Sequence, residues 1–504
     1  MENHQRLQTL RSIVFVVGIF LLLFSLAMLM PAITNKYLGY EWKNFLAGFI
    51  ITCTFGAIFI FLGKLSKLHG MPVVFAITSC TWIVLSLFAA IPFYFDNLSY
   101  VDALFETISG FTTTGATVFS DVEKQSPGIL LWRAMLHGIG GFGIITIGIA
   151  VFPMFKTLSL NNLLYSEYSD ATKRRLPNTR SVVIHVTAIY YSLILLCILS
   201  YRLAGMPLFD AICHGMSAVS TGGFANYNDS IRHYNDPILE VITIIFMILG
   251  SLPFLSYLKI IKRLDICHDE QVSYFVKIVI VSSLFAYFWL HKNVDLGVPF
   301  SFRCSTFTIT SFITSTGYTT CNYVNWSFIS VLAFFLTFIG GCSGSASGGI
   351  KIFRLIVFLR SIENRFRLLL NPDASDRVKF NGKILGNDEI HSVFVFFAIY
   401  VLTFTISSIV MSYLSNADFI TSISSVSAML TNSGPGFSNL IGPSGNYSSF
   451  SNGVKLFLSF LMLLGRLEIL PIYFCIGNLF SGFVIPERDQ KIKKKNGSQC
   501  RLLG

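Results

Sequence analysis

The sequence predicts an all-α polytopic membrane protein of about ten spans, in which two leading helices precede one helix–loop–helix unit used four times. Three observations carry that reading: an apolar composition, ten apolar runs, and a Thr/Ser-Gly turn that recurs between them. Of 504 residues, 53% are hydrophobic and 12% charged, about half the charged fraction of a soluble chain. A helix needs roughly 20 apolar residues to cross the hydrocarbon core.

The runs are Ser12–Met30, Phe45–Leu62, Val73–Phe95, Ile129–Phe152, Val182–Tyr201, Ile238–Ile260, Val272–Leu290, Phe328 to about Gly341, His391–Tyr413 and Val454–Val484. The first is too long for a signal-peptide core and lacks a small-residue cleavage site, so it is expected to be retained. With the N-terminus on the cytoplasmic side, ten spans return the C-terminus there too. The predicted inner segments then hold 26 of the 37 Lys and Arg residues and the outer ones 9. Such a bias is the positive-inside signature. The net charge of +11 is therefore mainly topology, with anionic lipid contact as a second reading and nucleic acid excluded as a partner. Trp132 and Tyr94 read as interfacial anchors. Ten scattered cysteines without a CxxC pair read as small core residues.

The four turns are Thr112-Thr113-Thr114-Gly115, Ser220-Thr221-Gly222-Gly223, Thr314-Ser315-Thr316-Gly317 and Thr431-Asn432-Ser433-Gly434. Aligned on Gly115, Gly222, Gly317 and Gly434, they recur at spacings of 107, 95 and 117 residues, close to a fourth of the chain after the first two spans. Before each lies a stretch too short and too polar to cross a membrane: Asp102–Gly110, Asp210–Val219, Phe302–Ile313 and Asp418–Leu430. Asp102, Asp210 and Asp418 suit N-caps or first turns. A half-helix so placed aims its negative C-terminal end at the turn and draws cations there. A cation crossing a bilayer must exchange water for oxygen ligands; backbone carbonyls backed by hydroxyls supply them without a trapping charge. Glycine lets successive carbonyls turn inward.

These residues resemble the Trk/Ktr/HKT superfamily of potassium transporters, in particular its bacterial Trk membrane-subunit branch. The resemblance spans nearly the whole chain. It rests on Ser109–Thr117, Thr221–Phe224, Thr314–Thr320, Asn432–Phe437, Trp132–Ile145, Gly340–Lys351 and Leu464–Pro471. It implies four pseudo-symmetric membrane helix–pore helix–membrane helix repeats around a central single-file pore, with two extra N-terminal transmembrane helices outside it. On this reading the chain divides into 1–71 (N-terminal pair), 72–180, 181–271, 272–389 and 390–485 (four pore repeats) and 486–504 (basic cytoplasmic tail). The resemblance also implies K+ uptake across the inner membrane, filter glycines at Gly115, Gly222, Gly317 and Gly434, and carbonyl donors at Thr113 and Thr114, Ser220 and Thr221, Ser315 and Thr316, and Asn432 and Ser433. It implies a homodimer and a cytoplasmic nucleotide-binding regulatory subunit of the Rossmann type, with no organic cofactor in this chain. Sodium-preferring plant relatives carry Ser at the first filter glycine; Gly115 here favours K+.

Two features suggest a gate. The Gly/Ser-rich stretch containing Gly340, Gly341, Gly344, Ser345, Gly348, Gly349 and Lys351 interrupts the third unit's second span, since each Gly costs a helix about 1 kcal/mol relative to Ala. It reads either as close helix packing or as an unwound movable segment below the filter; the family resemblance supports the second. Its spacing does not fit a phosphate-binding loop. Arg466 lies deep in an apolar run, where an Arg marks a functional site by default; the alternative is a structural pair with Glu468 or Glu106. In the family the matching Arg lies near the pore and opposes cations.

An enzyme is not expected: no paired carboxylates, metal-spaced histidines or nucleophile elbow occur. His137 and His214 each stand alone and suit structural roles. The rival is a Na+- or H+-coupled carrier, or a weakly selective K+/Na+ conductor. Repeats that run in parallel, with acidic residues mostly at span ends, disfavour the inverted-repeat carrier design.

Overall fold

Each short helix packs against the unit that precedes it, and the last unit packs against the first. The computed structural model describes residues 2–65, 71–150, 179–261, 269–294, 297–372, 377–469 and 472–473. The basic tail, Lys67, Lys156, Lys173–Arg175, Lys262, Arg263 and the latter half of the predicted tenth span lie outside the described residues.

Helices α1 (Glu2–Ala27) and α2 (Leu29–Leu38) form one 32-residue apolar stretch, Leu7–Leu38. The break falls at Met28, one turn before Pro31, whose ring excludes the carbonyl four residues back. α3 (Lys43–Leu62) returns alongside α1. A Cβ on Gly18 would sit 2.9 Å from the Gly56 carbonyl oxygen, so small residues let these two helices approach closely.

The first unit comprises α4 (Met71–Ala89) with α5 (Ile91–Phe95), the short α6 (Tyr100–Phe111) and α7 (Pro127–Ala150). The second comprises α8 (Thr179–Leu203), short α9 (Leu208–Val219), α10 (Pro237–Ser251) and α11 (Phe254–Ile261). The third comprises α12 (Glu270–Asn293), short α13 (Val298–Ile313), α14 (Ser327–Ile339) and α15 (Ile352–Leu370), followed by the hairpin β1 (Lys379–Phe380) and β2 (Lys383–Ile384). The fourth comprises α16 (Asn387–Ser415), short α17 (Phe419–Leu430) and α18 (Asn452–Arg466).

The packing is cyclic: α9 meets α7, α13 meets α10, α17 meets α14, and α6 meets α18. Polar bonds cross the seams. Arg303 on α13 forms a bidentate pair with Glu240 on α10 at 3.0 and 2.7 Å, and Lys455 on α18 reaches Asp102 on α6 at 2.5 Å. Burial separates inner from peripheral helices: 72% of the α7 window is buried, against 22% for α3 and for α12.

Three expectations need correction. Among the described residues seven helices have the length and apolarity to cross a membrane, or eight with the bent pair α10–α11 counted as one span, while most of the latter half of the predicted tenth lies outside them. The predicted span Ile238–Ile260 is instead broken, with α10 and α11 meeting at 92° where Leu252-Pro253 interrupts the hydrogen-bond ladder. The eighth predicted span ends after 13 residues at Ile339. Trp132 is not an interfacial anchor: it is fully buried and donates its indole N–H to the Ala89 carbonyl at 3.2 Å, whereas Tyr94 is half-exposed. Finally, two cysteines are not simple core fillers, because Cys304 in α13 and Cys321 beyond the following turn form a disulfide.

Candidate functional site: a ring of four loops

The chain leaves each short helix in the same way. The amides of Thr112, Ser220, Thr314 and Thr431 still reach a carbonyl four residues back, at 2.8, 3.2, 3.0 and 2.9 Å. Their hydroxyls bond the same carbonyls at 2.6, 2.7, 2.7 and 2.7 Å. The next residue enters the left-handed region in all four copies: Thr113 (φ 50°), Thr221 (φ 52°), Ser315 (φ 55°) and Asn432 (φ 54°). Such angles are strained for the β-branched Thr113 and Thr221, and their recurrence in all four copies marks a shared requirement of the turn. The amides that follow, of Thr114, Gly222, Thr316 and Ser433, fold back to Ser109, Ser217, Ser311 and Ala428 carbonyls at 2.8, 2.8, 2.9 and 2.9 Å.

This pattern fixes the register, and it moves the second turn by one residue. The left-handed glycines are Gly115 (φ 84°), Gly223 (φ 86°), Gly317 (φ 81°) and Gly434 (φ 84°). Gly223, not Gly222, is the counterpart of the other three, and Gly222 stands where the other copies have Thr114, Thr316 and Ser433. In this register Thr221 and Gly222, not Ser220 and Thr221, stand where the other loops have Thr113-Thr114, Ser315-Thr316 and Asn432-Ser433. A Thr-Gly pattern selects Gly222, because the ring glycine here is preceded by a second glycine rather than by a hydroxyl residue.

The four loops meet as a ring. A Cβ on Gly115 would strike the Gly222 carbonyl, one on Gly223 the Thr316 carbonyl, one on Gly317 the Ser433 carbonyl, and one on Gly434 the Thr114 carbonyl. Each glycine thus gives way to the carbonyl of the next unit, around a closed circuit. A cavity of about 70 Å³ is lined by all four ring glycines. The short helices direct their negative ends at this ring; Asp102 and Asp210 lie in the first turns of α6 and α9 at the far end. Asp418 is the N-cap of α17 but makes no capping bond.

Behind the first loop lies a buried ion pair that sequence reasoning missed. Arg133 Nε bonds Glu106 at 2.7 Å, with both residues buried. Glu106 also accepts the Val118 amide at 2.9 Å and the Thr117 hydroxyl at 3.1 Å, and Arg133 reaches across the seam to the Ala225 carbonyl at 3.0 Å. The pair holds the chain beyond Gly115 and ties it to the second loop. Its signal was an Arg inside the apolar run Ile129–Phe152.

The Gly/Ser stretch is non-helical from Gly340 to Lys351, with Gly340, Gly344, Gly349 and Lys351 at positive φ. Its backbone is satisfied by neighbours, as irregular chain at membrane depth requires. Cys342 and Ala346 amides take up the Ser251 and Gly250 carbonyls freed at the α10–α11 break, at 3.0 and 3.1 Å. Gly341 N–H bonds Ser347 Oγ, Ser345 Oγ bonds the Cys342 carbonyl, and the Lys351 ammonium bonds the Ser347 carbonyl. The stretch abuts the ring: the Gly348 amide donates to Ser315 Oγ at 2.5 Å. Arg466 donates Nη1 to the Ala346 carbonyl at 2.8 Å, while its Nε and Nη2 have no hydrogen-bond partner among the described residues. The expected alternative pairings do not form, because Glu468 bonds Arg354 and Glu106 bonds Arg133.

The TrkH family, described as cation transport protein, matches residues 41–286 and 294–478. A Trk system potassium uptake protein TrkG of Escherichia coli is 34% identical over 490 residues, covering 94% of this chain and 98% of that protein. The Trk system potassium uptake protein TrkI of Halomonas elongata is 34% identical over 414 residues, 81% of this chain and 83% of that protein. The crystal structure of the potassium transporter TrkH from Vibrio parahaemolyticus superposes with a TM-score of 0.83 at 28% identity, covering 92% of this chain and 98% of that one. Repeated loops, cyclic packing and similarity along nearly the whole length agree: this chain belongs to the TrkH family of cation transport proteins.

Proposed function

We propose that the chain is a potassium-uptake subunit of the inner membrane, with the four-loop ring as its selectivity filter and K+ as the transported substrate. The observation that carries this reading is that four loops of unlike sequence keep one backbone, with paired left-handed residues at each corner. Oxygens so arranged can replace a cation's hydration shell. The carbonyls of Thr113 and Thr114, Thr221 and Gly222, Ser315 and Thr316, and Asn432 and Ser433 are assigned to this role, with Gly115, Gly223, Gly317 and Gly434 making room for them. The relatives are potassium uptake proteins by name, which supplies the ion.

Gating is assigned to the stretch containing Gly340, Gly341, Gly344, Ser345, Gly348, Gly349 and Lys351, together with Arg466. Contact of Gly348 with Ser315, and of Arg466 with Ala346, couples the stretch to the ring. Cytoplasmic termini follow from the basic-residue bias. A homodimer and a nucleotide-binding regulatory chain of the Rossmann type rest on the family resemblance.

The test is rubidium uptake in cells lacking their own potassium-uptake systems, comparing wild type with Gly115→Ser. Wild type is expected to rescue growth at low potassium. In the variant a Cβ meets the Gly222 carbonyl, and preference for K+ over Na+ is expected to fall about tenfold. Intact preference in a well-expressed variant would overturn the filter assignment.

A further inference from the structure

The second loop lacks a side chain that the other three use. Thr114, Thr316 and Ser433 each bond the hydroxyl two residues earlier, at 2.7, 2.7 and 3.1 Å from Thr112, Thr314 and Thr431. Their counterpart, Gly222, has nothing to offer Ser220. It is not in the left-handed region, so its backbone does not require glycine. The reason for glycine is steric: a Cβ there would strike the His137 ring, with Cγ at 2.5 Å and Cε1 at 2.6 Å.

His137 comes from α7 of the first unit and is fully buried. Its ring stacks on Phe224, the residue after Gly223, with centroids 4.2 Å apart and planes at 13°. Phe224 also lies 4.0 Å from the Arg133 guanidinium, one helical turn before His137. Nδ1 of His137 is 2.9 Å from Ser217 Oγ. The equivalent serines of the first and third units, Ser109 and Ser311, instead donate to the carbonyls just after their ring glycines, at 2.5 and 2.7 Å. His137 therefore occupies the volume of the missing side chain and engages the serine that elsewhere braces the loop.

We propose that His137 is a positioning residue for ion discrimination: it acts in place of the side chain absent from Gly222 and holds that corner's carbonyl in the ring. The inference rests on the filter reading above. It makes a reciprocal prediction. Removing the ring leaves the corner loose; adding a side chain at 222 with the ring present forces the corner out. Doing both rebuilds the arrangement of the first unit, with a new Thr hydroxyl beside Ser220.

The experiment uses the full chain in cells lacking other potassium uptake, and reads how well sodium and potassium each compete with rubidium uptake. His137→Ala and Gly222→Thr are each expected to reduce K+ over Na+ discrimination about tenfold, a typical effect of one misfitted contact. The double variant is expected to recover most of the loss, as coupled sites do. Gly115→Ser is measured in parallel with membrane abundance by immunoblot. If Gly115→Ser reduces discrimination but His137→Ala does not, the His137 inference fails and the filter stands. If Gly115→Ser has no effect, the filter reading fails and takes the inference with it. If either single variant fails to reach the membrane, a double variant that reaches it and discriminates supports the inference, and a double no better than the singles overturns it.

Discussion

At the scale of single residues, Arg466 is a buried guanidinium on the fourth unit, and no carboxylate among the described residues pairs with it. An unpaired buried charge is costly, and one hydrogen bond to the Ala346 carbonyl does not offset it. In the proposed role it opposes cations beside the gate. Arg466→Ala is expected to raise rubidium uptake about tenfold, since 1.4 kcal/mol is a factor of ten and unit charges near a protein surface interact by a few kcal/mol at 4 Å. Uptake per molecule in the membrane is the measurement, and an unchanged value would count against the role. The residue scale is also where the sequence misled. Thr221-Gly222-Gly223 offers two glycines, and choosing the first broke the symmetry. A legible cue was present: Ser109, Ser217 and Ser311 each precede the ring glycine by six residues. In the fourth copy Ala428 replaces that serine, which hid the rule.

At the scale of elements, the short helices were legible because polarity and length both forbid them to cross a bilayer, and α6, α9, α13 and α17 cover the expected stretches. The break between α10 and α11 was not, since hydropathy registers Pro253 as one residue in an apolar run. The groups that make the break tolerable lie about 90 residues on in the chain: the amides of Cys342 and Ala346 take up the freed carbonyls. The Cys304–Cys321 disulfide was equally hidden: the cysteines are 17 residues apart, and only the hairpin of α13 and its turn brings them together. The bridge ties α13 to the irregular segment leaving its loop. By loop-closure entropy a link of this length stabilises by about 3 kcal/mol, on the oxidising side in the proposed orientation. Replacing both cysteines with Ser is expected to lower the thermal unfolding temperature of the detergent-solubilised chain, and a reductant should lower the wild type to match. A wild type indifferent to reductant, with a variant equally stable, would remove the bridge from the stability argument.

At the scale of the whole molecule, one chain builds a fourfold ring from four unlike sequences, and the corners differ in how they are held. Thr114 and Thr316 bond neighbouring threonine hydroxyls, and the His137 ring fills the space a side chain at Gly222 would take. The fourth corner departs furthest. Asn432 sends its carboxamide to the Thr114 hydroxyl at 2.9 Å and to the Met462 carbonyl at 3.0 Å, and the Tyr447 hydroxyl bonds the Gly434 carbonyl at 3.2 Å. The fourth corner is thus pinned by longer side chains where hydroxyl pairs hold the first and third, and corners of unequal stiffness cannot all match one ionic radius. The ring is therefore expected to prefer K+ over Na+ only about five- to thirtyfold, the discrimination that 1–2 kcal/mol provides. A bi-ionic reversal potential on reconstituted protein measures the ratio directly. Equal permeability would refute a potassium filter altogether. A ratio in the thousands would mean that the unlike corners are held as rigidly as identical ones. Tyr447→Phe tests this, because it removes the bond that pins the Gly434 carbonyl next to the Asn432 and Ser433 carbonyls; the ratio should change if that bond sets the stiffness of the fourth corner, and an unchanged ratio would clear it.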